Sequence, residues 1–297
     1  MPKHNPMILL TPDPNTGELV PVTEGQYISP EEQARRSRFA EYAHEQELRR
    51  LADDERTREF GNFTFCKYQY HEPFFEGISS LHLTRLFYLS TFMLFGQSTL
   101  YHPNGRVLQP QQLPDKLGIS PQNCNRFLTA MQEQSYLEVQ CNAITLNSHY
   151  FMRNRIAGNT EVETRAIRIY FNAFHDLYRQ LSSREHSKLA YLIRLIPHLH
   201  SSSNIICKDP LADDESCIVP LSAKGICGVV GYNPNQSARF MKDLQELCLS
   251  NGQPAIWHDA DRNAFIIHPA LFYSGSTQHA IFQRAGFLDM NDDDENE

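Results

Sequence analysis

Residues 118–132 read GISPQNCNRFLTAMQ, and residues 231–245 read GYNPNQSARFMKDLQ. Five of the fifteen positions coincide: Gly118/Gly231, Pro121/Pro234, Arg126/Arg239, Phe127/Phe240 and Gln132/Gln245. Leu128/Met241 and Met131/Leu244 are apolar in both copies. The shared residues have a common physical logic. Glycine permits a tight turn after a short helix, and the polar Ser120 or Asn233 can cap the helix that follows. Proline suits the first turn of that helix, where its missing N–H costs nothing. Phe127, Leu128 and Met131 then share an inward face, while Gln122, Asn123, Asn125 and Arg126 fall largely on the opposite one. The equivalents in the second copy are Asn235, Gln236, Ala238 and Arg239. Each copy therefore reads as a helix–turn–helix.

The flanks repeat in the same order. An apolar helix, LHLTRLFYLSTFMLFG, precedes the first copy and ends at Gly96; SREHSKLAYLIRLIPHLH, capped by Ser182 or Ser183, precedes the second. Each copy leads into two short apolar runs around a polar turn, LEVQCNAITLNSHYF and AIWHDADRNAFIIHPALF, which read as hairpins. AITLN at 143–147 lies over AFIIH at 264–268, and Phe151 over Phe272. The second long helix is expected to run to Gly252. FGNFTFCKYQYHEPFF alternates aromatic and polar residues, as a strand does. The repetition reads as an internal duplication.

The expected organisation is an extended arm and charged helix over 1–60, one domain over 61–158, a linking helix over 159–181, a second domain over 182–286 and an acidic, unstructured tail over 287–297. The linking helix carries the pattern TRAIRIYFNAFHDLYRQL. The charged helix opens at Ser29-Pro30-Glu31-Glu32, a capping box, and runs to about Arg58 with only a thin apolar stripe that includes Phe39 and Tyr42. Such a helix suits a solvated flank or a docking element. The fold class is α+β, mainly α.

Helix–turn–helix followed by hairpin is similar to the winged-helix arrangement. Residues 80–151 and 182–273 resemble winged-helix domains of the MarR-like kind, and the tandem layout resembles plasmid replication initiators. The resemblance is one of layout and rests on LPDKLGISPQNCNRFLTAMQEQSYLEV. It implies double-stranded DNA as partner, with the second helix of each unit in the major groove. It also implies a basic wing tip, whereas the second tip carries Asp259 and Asp261 beside Arg262.

Asn and Gln can bond bidentately to adenine and Arg to guanine, so Gln122, Asn123, Asn125, Arg126, Asn235, Gln236 and Arg239 are the candidate base readers, with Ser120 as cap. Lys116, Arg153, Arg155, Lys224 and Lys242 are candidate phosphate contacts. Against this stands the plain alternative that polar residues early in a helix form its solvated face. Arg126 could instead pair with Asp115, and Arg239 with Asp243.

Thirty-five acids against 27 bases give a formal charge of −8, unusual for a DNA reader. The deficit is local. Residues 1–60 and 201–297 are acidic, with six acids after Phe287, whereas residues 61–160 hold seven bases against five acids and 161–200 hold six against four. No phosphate-cradling, dinucleotide, zinc-protease or nucleophile-elbow motif occurs, so no catalysis and no cofactor are expected. Tyr170 and Tyr178 lack an accompanying histidine cluster for a nicking reaction. The seven cysteines contain no C-x-x-C pair and read as free buried thiols, and none of the thirteen histidines has ligand spacing; His198, His200 and Cys207 match no common zinc pattern. No apolar run is long enough to span a membrane, and no signal core opens the chain, so a cytoplasmic location is expected. The rival reading is a protein-binding adaptor of a phage or mobile element, docking through helix 30–58 or the acidic C-terminal third.

Overall fold

The computed structural model describes residues 10–12, 19–21, 34–42, 44, 60–70, 72–154, 164–212 and 215–275. The chain divides into two units, Met1–Asp54 and Glu55–Glu297.

In the first unit, strand β1 (Leu10–Pro12) pairs antiparallel with β2 (Leu19–Pro21), with Thr11 opposite Val20. Helix α1 covers 34–42 and is exposed along its length, Phe39 and Tyr42 included. The thin stripe does not build a core within the described residues. The rest of the expected helix 30–58 lies outside them, as does the tail 287–297.

The second unit is organised on a four-stranded antiparallel sheet in the order β6–β3–β7–β10, formed by Phe151–Met152, Phe63–Gln69, Thr164–Tyr170 and Phe272–Tyr273. Strands β3 and β7 pair over seven residues, with Phe65 opposite Arg168. Each central strand takes one flank from its own half. Cys66 of β3 faces Phe151, and Ile169 of β7 faces Phe272. The Lys67 amide donates to the Tyr150 carbonyl at 2.7 Å, and the Tyr170 amide donates to Leu271 at 3.2 Å. The sheet thus reads the same from either edge.

Strand β7 corrects the linking-helix expectation. Only Phe171–Gln180 is helical (α5). Ile167 and Ile169 alternate into the core, and pairing with β3 along the whole strand satisfies the backbone groups that a helix would have bonded internally.

After its central strand, each half follows the same order of elements, except that α5 intervenes in the second. The first runs α2 (Ser80–Ser90), α3 (Leu113–Leu117), α4 (Pro121–Glu133), β4 (Leu137–Gln140) and β5 (Ala143–Leu146). The second runs α6 (His186–Arg194), α7 (Ala223–Val230), α8 (Ser237–Gln245), β8 (Ile256–Asp259) and β9 (Ala264–Ile267). Between the apolar helix and the helix–turn–helix the chain makes an isolated bridge to the hairpin. Thr99 bridges Thr145 of β5, and Ile205 bridges Ile266 of β9. The matching amides bond alike: Leu100 to the Ile144 carbonyl at 2.9 Å, and Ile206 to Phe265 at 2.8 Å.

Three helices differ in extent from their sequence patterns. Helix α2 stops at Ser90 rather than Gly96, because the Ser90 and Thr91 hydroxyls bond back to the Phe87 and Tyr88 carbonyls (2.7 and 2.6 Å) and Met93 joins a bridge to Leu100. Helix α6 starts at His186, because the Glu185 carboxylate accepts from both the amide and the hydroxyl of Ser182 and closes a turn there. Helix α8 ends at Gln245, seven residues before Gly252; the chain beyond turns back so that Cys248 bridges Pro254.

One hydrophobic core runs through both halves, joining Leu83 and Phe87 of α2, Phe127 of α4, Phe174 of α5, Leu189 and Ile193 of α6, and Phe240 of α8. Helices α2 and α6 pack on each other, and the buried Thr84 hydroxyl donates to the His186 carbonyl at 2.7 Å across that contact. Burial of this kind, at about 1.5–3 kcal/mol per large apolar side chain, is what ties the halves together. All seven cysteines are free, but Cys141 and Cys217 are exposed, contrary to the expectation of uniformly buried thiols. Cys141 sits in the β4–β5 turn and Cys217 ends the short 3-10 helix Glu215–Cys217, while Cys248 is half-buried. Among the described residues, no helix is long and apolar enough to cross a membrane.

Candidate nucleic-acid interface

The turn of the first helix–turn–helix is built as its residues dictate. Gly118 ends α3 in the left-handed region at φ +64°, and the Ile119 amide closes on the Pro114 carbonyl at 3.0 Å. Ser120 caps α4 by accepting from the Asn123 amide at 3.3 Å, with Pro121 at the first helical position. The second copy repeats this. Gly231 sits at φ +73°, the Tyr232 amide bonds to Cys227 at 2.8 Å, and Asn233 accepts from the Asn235 amide at 3.0 Å.

Between the copies, the second helix begins differently. Pro234–Gln236 is a single 3-10 turn and α8 starts at Ser237, so Asn235 and Gln236 sit on that turn rather than on an α-helix. Asn233 bonds two residues ahead rather than three, which tightens the entry. The Tyr232 hydroxyl also reaches Gln236 Oε1 at 3.4 Å.

Cys124, Phe127, Leu128 and Met131 bury one face of α4, and Phe240, Met241 and Leu244 bury one face of α8. Gln122, Asn123, Asn125 and Arg126 are exposed on the first helix, as are Asn235, Gln236, Arg239 and Lys242 on the second. Among the described residues, neither Arg126 nor Arg239 forms an ion pair or a side-chain hydrogen bond, so the anticipated pairing with Asp115 or Asp243 does not occur. Both guanidinium groups stand in solvent at equivalent places.

The candidate phosphate contacts divide. Lys224 is exposed on α7. Lys116 is half-buried, its Nζ 4.6 Å from the centre of the Phe92 ring. Burial and the neighbouring Arg179 lower its pKa. Arg153 is engaged elsewhere: it donates to the Met93 carbonyl at 2.6 Å and to Asn62 Oδ1 at 2.8 Å, and lies 4.8 Å from the Phe171 ring centre. It brackets the start of the sheet rather than presenting a free cation. Arg155 lies outside the described residues.

Neither hairpin tip is basic. Gln140 and Ala143 enclose a two-residue turn in which Cys141 and Asn142 both have positive φ, at 48° and 60°, the type I′ geometry. At the other tip Arg262 is held by its own neighbour: Asp259 accepts from the Arg262 amide at 3.1 Å and lies 3.8 Å from its Nε.

The remaining chemical candidates are structural. Tyr170 is fully buried between Phe60 and Phe63. Tyr178 is stacked on Tyr88 at 3.8 Å, and its hydroxyl donates to the Leu117 carbonyl at 3.0 Å. His200 has Nε2 on the Ala212 carbonyl at 2.9 Å and Nδ1 beside the Ser203 hydroxyl at 3.0 Å. Among the described residues, no three His, Cys, Asp or Glu side chains gather as a metal would require.

Sequence reading missed Arg179, which lies across a cleft from Lys116, and the buried Arg85 behind it. Their only signal was a basic residue inside each of two helical patterns.

No known protein family, curated protein or solved structure matches the chain.

Proposed function

We propose that the chain reads double-stranded DNA through two winged-helix units, α4 and α8 serving as recognition helices, and that it acts without catalysis as a transcription regulator or replication initiator. The observation that carries this reading is the pairing of Arg126 with Arg239. The repeat retains both, and both stand exposed beside Asn and Gln side chains, with no ion pair or side-chain hydrogen bond among the described residues. No packing role accounts for them, and guanine recognition by a free guanidinium does.

The sheet supports a further element of the reading. Equivalent strands β3 and β7 are antiparallel neighbours, and each half attaches to its own central strand through matching bonds. An antiparallel pair carries a local two-fold axis, and on this reading the two recognition helices follow it as those of a homodimer do. The site expected is an inverted repeat with half-sites about 34–36 Å apart. Because Gln122, Asn123 and Asn125 correspond in the repeat to Asn235, Gln236 and Ala238, the half-sites are unequal. The first helix–turn–helix half, within the basic middle of the chain, supplies more of the affinity.

Electrophoretic mobility of a random duplex, at two salt concentrations, tests the reading. DNA binding appears at low salt and weakens steeply as salt rises. No binding at low salt removes it. A protein-adaptor role is favoured by one observation, the acidic second wing on which Arg262 is already clamped by Asp259.

A further inference from the structure

A surface cleft of about 450 Å³ lies between the α3–α4 turn and the α5–α6 connection, lined by Tyr88, Lys116, Gly118, Arg179, Ser182 and Ser183 among others. Its volume is that of small-ligand sites. Two cations from different elements face it. Lys116 is fixed over Phe92, and Arg179 lies beside the Tyr88 hydroxyl. Neither Lys116 nor Arg179 makes an ion pair among the described residues. Asp115 is the one carboxylate in the lining, and Glu185 at the rim is occupied by Ser182 and by Lys188 at 3.8 Å.

The wall of the cleft is an aromatic stack backed by a buried cation. Tyr178 is sandwiched between Tyr88 at 3.8 Å and His186 at 4.0 Å. Behind it lies Arg85, only 5% exposed, its Nε without a partner and no carboxylate paired with it among the described residues. Burying a guanidinium without a counter-charge is costly, and an anion nearby offsets that cost. Mutual repulsion acts on the same cluster: Arg179 holds the Lys116 ammonium below its ordinary pKa, after burial. The Ser182 and Ser183 hydroxyls at the mouth already donate, to Glu185 at 2.8 Å and to the Gly118 carbonyl at 3.4 Å, which leaves anion recognition to the two cations.

We propose that this cleft binds a phosphate group, with Lys116 and Arg179 as its paired cationic contacts. The group belongs either to a soluble phosphorylated molecule or to the backbone of bound duplex; the soluble case does not depend on DNA binding. Occupancy would brace the α3–α4 turn against α5, and so set the angle of α4.

Calorimetric titration of the full chain with inorganic pyrophosphate tests the soluble source, and duplex binding across a salt series tests the backbone source. Lys116→Gln and Arg179→Gln are compared with Lys208→Gln, a charge loss outside the cleft. One-to-one pyrophosphate binding that weakens about tenfold in both cleft variants, and not in Lys208→Gln, establishes a soluble ligand. Absence of pyrophosphate binding, with a duplex salt slope reduced by about one in each cleft variant, assigns the phosphate to DNA. Neither response, or equal losses in all three variants, overturns the proposal. If no duplex binds the wild-type chain, the DNA reading fails alone and the pyrophosphate titration still decides.

Discussion

Phe65 and Arg168 face each other in the β3–β7 pair, next to its central Cys66–Ile167 position, with the guanidinium carbon 5.3 Å from the Phe65 ring centre. They occupy equivalent places in the two halves, one aromatic and one cationic, so the repeat is not symmetric in residue type at the point where it meets itself. The same guanidinium reaches the Gly275 carbonyl at 3.2 Å. An exact two-fold would place like beside like there. The substitution makes a stacked pair instead, and each half carries its own helix–turn–helix on the strand that supplies one partner.

Arg126→Ala and Arg239→Ala each lower affinity for a selected duplex by about 1–3 kcal/mol, with an unchanged melting temperature. Fluorescence anisotropy beside thermal denaturation measures both. Arg126→Ala has the larger effect, because the half that carries it lies in the basic middle of the chain. Unchanged affinity in both variants removes α4 and α8 as readers.

Arg153→Ala behaves in the opposite way. Its two hydrogen bonds join the Met93 carbonyl to Asn62, so its loss costs about 1–3 kcal/mol of stability. Denaturant unfolding reads that cost, while the salt slope of DNA binding stays at the wild-type value. A reduced slope with normal stability would return Arg153 to the phosphate contacts.

Gly118→Ala and Gly231→Ala isolate the turn. An added Cβ meets nothing within 4 Å at either place, so only the left-handed backbone is penalised. Each substitution destabilises by about 1–2 kcal/mol, measured by urea unfolding. A loss near zero at either position would mean that the turn relaxes out of the left-handed region.

Stability falls with acidification above pH 4. Burial, reinforced by Arg179 and Lys116, pushes the His175 imidazole down to about 4, against an ordinary value of 6.5. Between those values the unfolded chain takes up a proton that the folded chain refuses, so the urea midpoint drops as pH falls through the window. His82, His186 and His198 are displaced in the same direction, each chiefly by burial. His175→Gln makes the profile shallower; an identical profile would show that His175 contributes nothing to it.

What could be read from residues alone was local. Gly118, Ser120 and Pro121 specify a turn, a cap and a helix start within four positions, and their counterparts do so again at Gly231, Asn233 and Pro234. Hairpin alternation around Cys141 and Asn142 was equally legible. Strand β7 was not, because its partner lies about a hundred residues earlier and its pattern runs directly into an amphipathic helix. The 3-10 entry to α8 was hidden for a different reason: Pro234 fits either helix type in its first turn. Arg153 looked like a free cation because Met93 and Asn62 are remote in sequence. The cleft of Lys116 and Arg179 exists only once α3 and α5 are packed together.

Selection of bound duplexes from a random pool tests the central claim most directly. The full chain is predicted to enrich two unequal half-sites in inverted orientation, about one helical turn apart. A pool that returns no shared sequence, or that returns direct repeats, would contradict the account.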